Sequence, residues 1–121
     1  MNRHYTTAEF SDAVDRLRAA FDIVSVTTDI ITGFPTETEE NHKQSLEFAK
    51  KIGFAKIHVF PFSPRKGTRA YDMKEQVSPD IKKRRTAEML EVAKESADAF
   101  YSAKVGKVVS VLFEHRKGDL F

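Results

Sequence analysis

Thr28-Asp29-Ile30-Ile31-Thr32-Gly33-Phe34-Pro35-Thr36-Glu37-Thr38 decides the fold, because it passes from strand chemistry through a turn to a helix start. Residues 22–31 carry Ile23, Val24, Val26, Ile30 and Ile31, a β-branched run closed by Gly33 and Pro35, as a strand is. Thr36 and Glu39 then stand at capping-box spacing, and the apolar stripe Leu46, Ala49, Ile52 stops at Gly53, so a helix follows the turn. Residues 55–60 make a second strand, with Ile57 and Val59 on one face and His58 and Phe60 on the other. Bulk on both faces is the pattern of a buried parallel strand. Strand, helix and strand in this order require a right-handed parallel crossover, which places the chain in the α/β class.

Outward from this unit, Phe10, Val14, Leu17 and Phe21 recur at helical spacing behind Thr6-x-x-Glu9, predicting a helix over 7–20 with a capping box. Downstream, residues 61–77 are irregular, with Pro61, Pro64 and Gly67 breaking the chain around Arg65, Lys66 and Arg69 into a long basic loop. Ser78-Pro79-Asp80 offers an N-cap, a proline for the first turn and a first-turn acid, so a long helix is expected to about residue 104, closed by Gly106. Residues 107–114 read as a last strand, followed by a turn at Lys117-Gly118-Asp119. Two parallel strands do not form a stable sheet alone. The expectation is therefore one part of a larger (β/α) barrel whose neighbouring strands lie outside this text.

The bulk properties set outer limits. A chain of 121 residues has room for one core, and 40% hydrophobic with 31% charged residues is globular composition. No run approaches a membrane span and the first residues lack a secretory pattern, so no membrane partner and a cytoplasmic location are expected. With no cysteine the chain can hold no disulfide, no thiolate zinc site and no iron–sulfur cluster by its own thiols. A net charge of +2 does not establish nucleic-acid binding; only a local basic cluster could.

Three stretches could carry chemistry. Ligands of α/β folds gather at the carboxyl ends of strands, and period two puts Asp29, Ile31 and Gly33 on one face there, with Gly33 open to a flat ligand. The commoner reading of such a stretch is an ordinary turn, with Glu37 a first-turn helix acid rather than a base. His58 and Phe60, if they point to the barrel interior, form an aromatic wall; the commoner reading is a packed core with a buried, hydrogen-bonded His58. No second ligand at a recognisable spacing makes His58 a metal site. Arg65, Lys66 and Arg69 project from the same carboxyl end, where they could hold phosphates. Lys82-Lys83-Arg84-Arg85 extends the basic text, and a solvated helix face diluted by Glu88, Glu91 and Glu95 is an equally good reading.

Taken together in order, Met1-Asn2-Arg3-His4-Tyr5-Thr6, the stretch at 28–38, the stretch at 58–68 and Val105-Gly106-Lys107-Val108-Val109-Ser110-Val111-Leu112-Phe113-Glu114 resemble the radical S-adenosylmethionine methylthiotransferases. The wording at His58-Val59-Phe60-Pro61 is most similar to the branch that acts on threonylcarbamoyladenosine beside the tRNA anticodon; the isopentenyladenosine and ribosomal-protein branches, which usually differ there, are the alternatives. The resemblance implies a C-terminal portion of the radical-SAM partial barrel over 1–104, followed over 105–121 by the start of a TRAM RNA-binding domain. It implies that Asp29, Ile31 and Gly33 line the adenine of S-adenosylmethionine, that Phe60 and Phe62 close that pocket, and that Arg3 faces the cofactor. Arg65, Lys66 and Arg69 then lie where substrate tRNA approaches.

The family's three-cysteine motif for the [4Fe–4S] cluster has no counterpart here, so this chain alone is expected to bind neither cluster nor cofactor and to be inactive. Thr36 stands where the family has glycine, and Arg69-Ala70-Tyr71 departs from its usual Pro-Ala-Ala. The exposed sheet edge predicts self-association. A non-catalytic RNA-binding module is the competing reading; a small phosphate-binding protein lacks the Gly-rich fingerprint.

Overall fold

The computed structural model describes residues 3–110 and 112. Helix α1 (Thr7–Ala20), strand β1 (Thr27–Thr32), helix α2 (Glu39–Ile52), strand β2 (Lys56–Pro61) and helix α3 (Pro79–Ser102) follow one another in a mixed α/β arrangement. The capping box of α1 is as expected: the Thr6 hydroxyl accepts from the Glu9 amide at 3.2 Å, and the Glu9 carboxylate accepts from the Thr6 amide at 2.7 Å. The box of α2 lies two residues further on than predicted. Thr36 has φ 73°, which no N-cap adopts, so Thr38 caps instead and Asn41 supplies the reciprocal bond at 3.1 Å. Gly53 closes α2 in the left-handed region at φ 65°.

β1 begins at Thr27 rather than near residue 22, because pairing starts only where Lys56 stands opposite. The strands are parallel, with Asp29 beside His58, Ile31 beside Phe60 and Thr32 beside Pro61. Pro61 is tolerated as the last residue of a strand that has a free outer edge among the described residues. One sheet face packs on the helices: Ile57 joins Val14, Ala49, Ile52, Phe54, Met89 and Val92 in the core, with Ile30 and Val59 against it. Phe10 of α1 seals one side, its ring 5.9 Å from Phe48 and 6.0 Å from Phe54.

The other sheet face is open. Asp29, Ile31, His58 and Phe60 all stand exposed, which corrects the expectation of a strand buried on both sides and of a buried His58. Among the described residues no element covers that face, and the His58 ring stacks at 15° on Phe60 instead. Of the expected last strand, residues 107–110 are irregular and Val108 is fully exposed; a strand needs a partner for its amides and carbonyls, and among the described residues none lies alongside. Residues 111 and 113–114 of that strand, the turn at 117–119, and Met1 and Asn2 lie outside the described residues.

Two side chains hold the helices in place through long-range hydrogen bonds. Arg18 of α1 donates to the carbonyls of Ile52 and Gly53 at 2.6 and 3.0 Å, satisfying the end of α2, and Ser96 of α3 donates to the Phe54 carbonyl at 2.6 Å. Met89 of α3 is wholly buried against the sheet. Met89→Ala is expected to cost about 2–5 kcal/mol in urea unfolding. Leu90→Ala, on the half-exposed side of the same turn, is expected to stay within about 0.5 kcal/mol.

Candidate functional site

The turn leaving β1 is over-determined. Gly33, at φ 69°, has no room for a side chain: a Cβ there would meet Lys82 Cγ of α3 at 2.5 Å. The Lys82 stem therefore lies directly on the turn, and its ammonium stands 5.3 Å from the centre of the Phe62 ring, which meets Phe34 edge-on at 5.2 Å. Thr32, fully buried, reaches the Thr86 hydroxyl at 2.8 Å. Thr86 gives its own proton to the Lys82 carbonyl at 2.7 Å, so the shared proton belongs to Thr32. The Phe62 amide donates to the Thr32 carbonyl at 2.8 Å and carries the strand pairing past Pro61.

Beyond Gly33 the Glu37 amide closes a tight turn on the Phe34 carbonyl at 2.9 Å, and the Thr36 amide donates to the Glu75 carbonyl of the basic loop at 2.9 Å. Glu37 precedes the helix, so it is not the first-turn acid expected from spacing. One of its carboxylate oxygens accepts the Gly33 amide at 2.7 Å and the Arg85 guanidinium at 2.8 Å. Arg85 also donates to the Glu37 carbonyl at 2.9 Å and to Glu39 at 3.1 Å, and its side chain is 4% exposed.

This overturns the reading of residues 82–85 as a solvated face. Lys82 packs on Gly33, Arg85 is buried, and Arg84 bridges Glu39 and Glu88 at 2.7 Å each; Lys83 alone of the four stays exposed without a contact of this kind among the described residues. Glu88 in turn meets buried His42 at 2.8 Å. Hydrogen bonding from Arg84, reinforced by Arg85, lowers the Glu39 carboxyl from the ordinary 4.5 to about 2. Arg84, followed by His42, lowers Glu88 likewise.

The open sheet face bounds a groove of about 750 Å³, within the range of small-molecule sites. Its lining brings together Arg3, Asp29, Ile31, Phe60, Phe62 and Arg65, all singled out from sequence, with Tyr5, Thr28, Pro61 and Ser63. The register pair Ile31 and Phe60 makes an apolar platform, Asp29 supplies acceptors, and Arg3 and Arg65 supply cationic donors. Gly33 is not in the lining, because Lys82 occupies the space that its missing side chain leaves. Lys66 and Arg69 are exposed further out on the loop and do not reach the groove. Tyr5 carries no periodicity signal, since its place is set by the path of the chain before α1. Among the described residues no three His, Asp or Glu side chains converge as a metal site.

Two outcomes follow from this geometry. Thr36→Gly is expected to raise stability by about 1 kcal/mol by removing a left-handed β-branched residue, and Thr36→Ala is not, as thermal unfolding would show. For Glu39, a folded pKa below the unfolded one means that its contribution is complete above about 4.5 and disappears as pH falls towards about 2. The melting temperature of Glu39→Gln is therefore expected to fall less steeply across that window, and the difference to shrink in high salt because the pair is exposed.

No family model matches the chain. It is 38% identical over 94% of its length to a tRNA-2-methylthio-N(6)-dimethylallyladenosine synthase of Clostridium tetani, covering 25% of that protein. The protein of the same name from Aquifex aeolicus is 37% identical over 99% of the chain, which covers 28% of it. A threonylcarbamoyladenosine tRNA methylthiotransferase of Chlamydia pneumoniae is 34% identical over 99% of the chain, again covering 28% of the relative. The chain thus spans about a quarter of the length of the curated relatives that it matches. Identity at this level over nearly every residue of the chain is common descent: over the segment that it spans, the chain is homologous to tRNA methylthiotransferases.

Proposed function

We propose that this chain is the cofactor-facing and RNA-facing part of a radical-SAM transferase that adds a methylthio group to C2 of a modified adenosine beside the anticodon of tRNA. The observation that carries the reading is the groove on the open sheet face, where Ile31 and Phe60 lie side by side between Asp29, Arg3 and Arg65. An apolar platform with acceptors and cationic donors at its rim suits S-adenosylmethionine, whose adenine is flat and apolar-faced and whose methionine end carries a carboxylate. When bound, one molecule of that cofactor would supply the methyl group, and a second, cleaved by an electron, would supply the radical. The platform of Ile31 and Phe60 holds the adenine out of water, Asp29 accepts from its donors, and Phe62, anchored by Lys82 and Phe34, closes the end of the groove.

The chain has no cysteine and so no residues that fit a [4Fe–4S] cluster. Cluster binding belongs to a further part of the parent, and the segment alone does not turn over. The edge of β1 is where that part docks. Its backbone borders a second groove of about 460 Å³ lined by Tyr5, Phe10, Phe48 and Phe54, which an additional strand would fill. Without that part the same edge pairs with a second copy, so light scattering of the 121-residue chain is expected to give a dimer or larger species. The basic loop of Arg65, Lys66 and Arg69 faces the tRNA, and the residues from 105 onward begin an RNA-binding domain.

We favour N6-threonylcarbamoyladenosine as the substrate base on the wording of residues 58–61. Dimethylallyladenosine is the second reading, favoured by the names of the Clostridium and Aquifex relatives. Mass spectrometry of nucleosides from cells lacking the full-length protein distinguishes them by which methylthio nucleoside disappears.

The groove itself is tested by Ile31→Glu in the full-length protein. The side chain is on the open face, so the fold is expected to persist while S-adenosylmethionine affinity falls at least about tenfold, because a carboxylate would be desolvated against the adenine. Unchanged affinity would remove the groove as the cofactor site. In filter binding, salt-sensitive retention of tRNA by the isolated chain, with no methylthio nucleoside missing in cells that lack the full-length protein, would instead support a purely RNA-binding module.

A further inference from the structure

We propose that Arg85 is the positioning residue of the turn that ends β1, acting through Glu37 from a helix more than forty residues further along the chain. The argument begins with the cost of the arrangement. A guanidinium at 4% exposure and a carboxylate at 13% are stable there only as a closely bonded pair, and leaving either alone would be strongly unfavourable. The pair does more than balance charge, because the same Glu37 oxygen that receives Arg85 also receives the Gly33 amide. That amide belongs to the first residue after β1, two positions beyond Ile31. Arg85 adds a second hold on the main chain through the Glu37 carbonyl, and Glu39 restrains the guanidinium at the start of α2.

The turn between these holds contains Thr36 at φ 73°, a conformation that a β-branched residue keeps only where its surroundings impose it. Removing Arg85 would leave the Glu37 carboxylate buried and unpaired. It would swing to water, the Gly33 amide would lose its acceptor, and residues 33–38 would relax. Lysine is a poor substitute, since one ammonium cannot serve the carboxylate, the carbonyl and Glu39 in the fixed fork that a guanidinium offers. The consequence for ligand binding rests on the reading of the open face as the cofactor groove; the control of the turn does not.

The test uses the full-length protein with Arg85→Met, Arg85→Lys, Glu37→Gln and the double variant Glu37→Gln with Arg85→Met. Hydrogen exchange is followed on peptides covering 33–38 and, for comparison, 56–61. Arg85→Met is expected to speed exchange at 33–38 more than about tenfold while leaving 56–61 within about twofold. Arg85→Lys should fall between, and the double variant should add little to Arg85→Met because both act through one contact. Glu37→Gln, which keeps the shape of the contact, guards against a result caused by loss of folding.

Equal acceleration in both peptides, or none at 33–38, would overturn the proposal. S-adenosylmethionine affinity measured on the same proteins by equilibrium dialysis should fall about tenfold with the loosened turn. If the unaltered protein binds no S-adenosylmethionine, the groove reading fails while the exchange result still decides the role of Arg85. If it binds, and the loosened variant binds equally well, the positioning role towards the ligand is overturned.

Discussion

A guanidinium buried beside the end of a strand is the constraint round which the carboxyl side of this sheet is arranged. Arg85 demands partners in a space almost without water, and it finds them in the carboxylate and carbonyl of Glu37, between β1 and α2, and in Glu39 at the start of α2. To deliver those partners the chain accepts a strained threonine and starts α2 two residues later than a capping pattern suggests. With α3 held at that point, the Lys82 stem settles on Gly33 and its ammonium on Phe62, so the aromatic end of the groove is placed by the same helix. Polar pairing here determines where apolar surfaces meet.

The covered face of the sheet shows the more usual division of labour. Met89 and Val92 of α3, Ala49 and Ile52 of α2 and Val14 of α1 converge on Ile57, and the directional bonds at the helix ends, from Arg18 and Ser96, fix their register. Burial supplies the driving force and the few long-range hydrogen bonds choose among similar packings. The opposite face keeps Ile31 and Phe60 in solvent, where they are available as a binding platform.

Local signals were legible where the physics is local. The box of Thr6 and Glu9 depends on residues three apart, and the stop at Gly53 and the proline opening α3 on single residues, and each element appears where those residues put it. Thr36 and Glu39 have the same spacing but fail, because Glu39 is claimed by Arg84 and Arg85 from 45 and 46 residues away, a competition that no window of sequence contains. For the same reason a run of four basic residues, for which a solvated face was an equally good reading, hides one buried charge and one glycine cover. Alternation placed Ile31 and Phe60 on one face correctly, since period two is intrinsic to a strand. Whether that face is covered depends on what packs there, so the burial of His58 was not legible. Among the groove residues, Tyr5 was missed because the chain path before α1, rather than any pattern, brings it there.

A sheet that is dry on one side changes how the chain responds to its solvent. Unfolding exposes the apolar surface of a single covered face, with Phe60, Ile31 and the residues from 105 onward that are described already hydrated in the folded state. The denaturant dependence and the heat-capacity increment both scale with newly exposed surface. Both are then smaller than the chain length alone implies. The stability curve is correspondingly shallow, changing little with temperature about its maximum, and any occupant of the open face that removes its apolar platform from water steepens it.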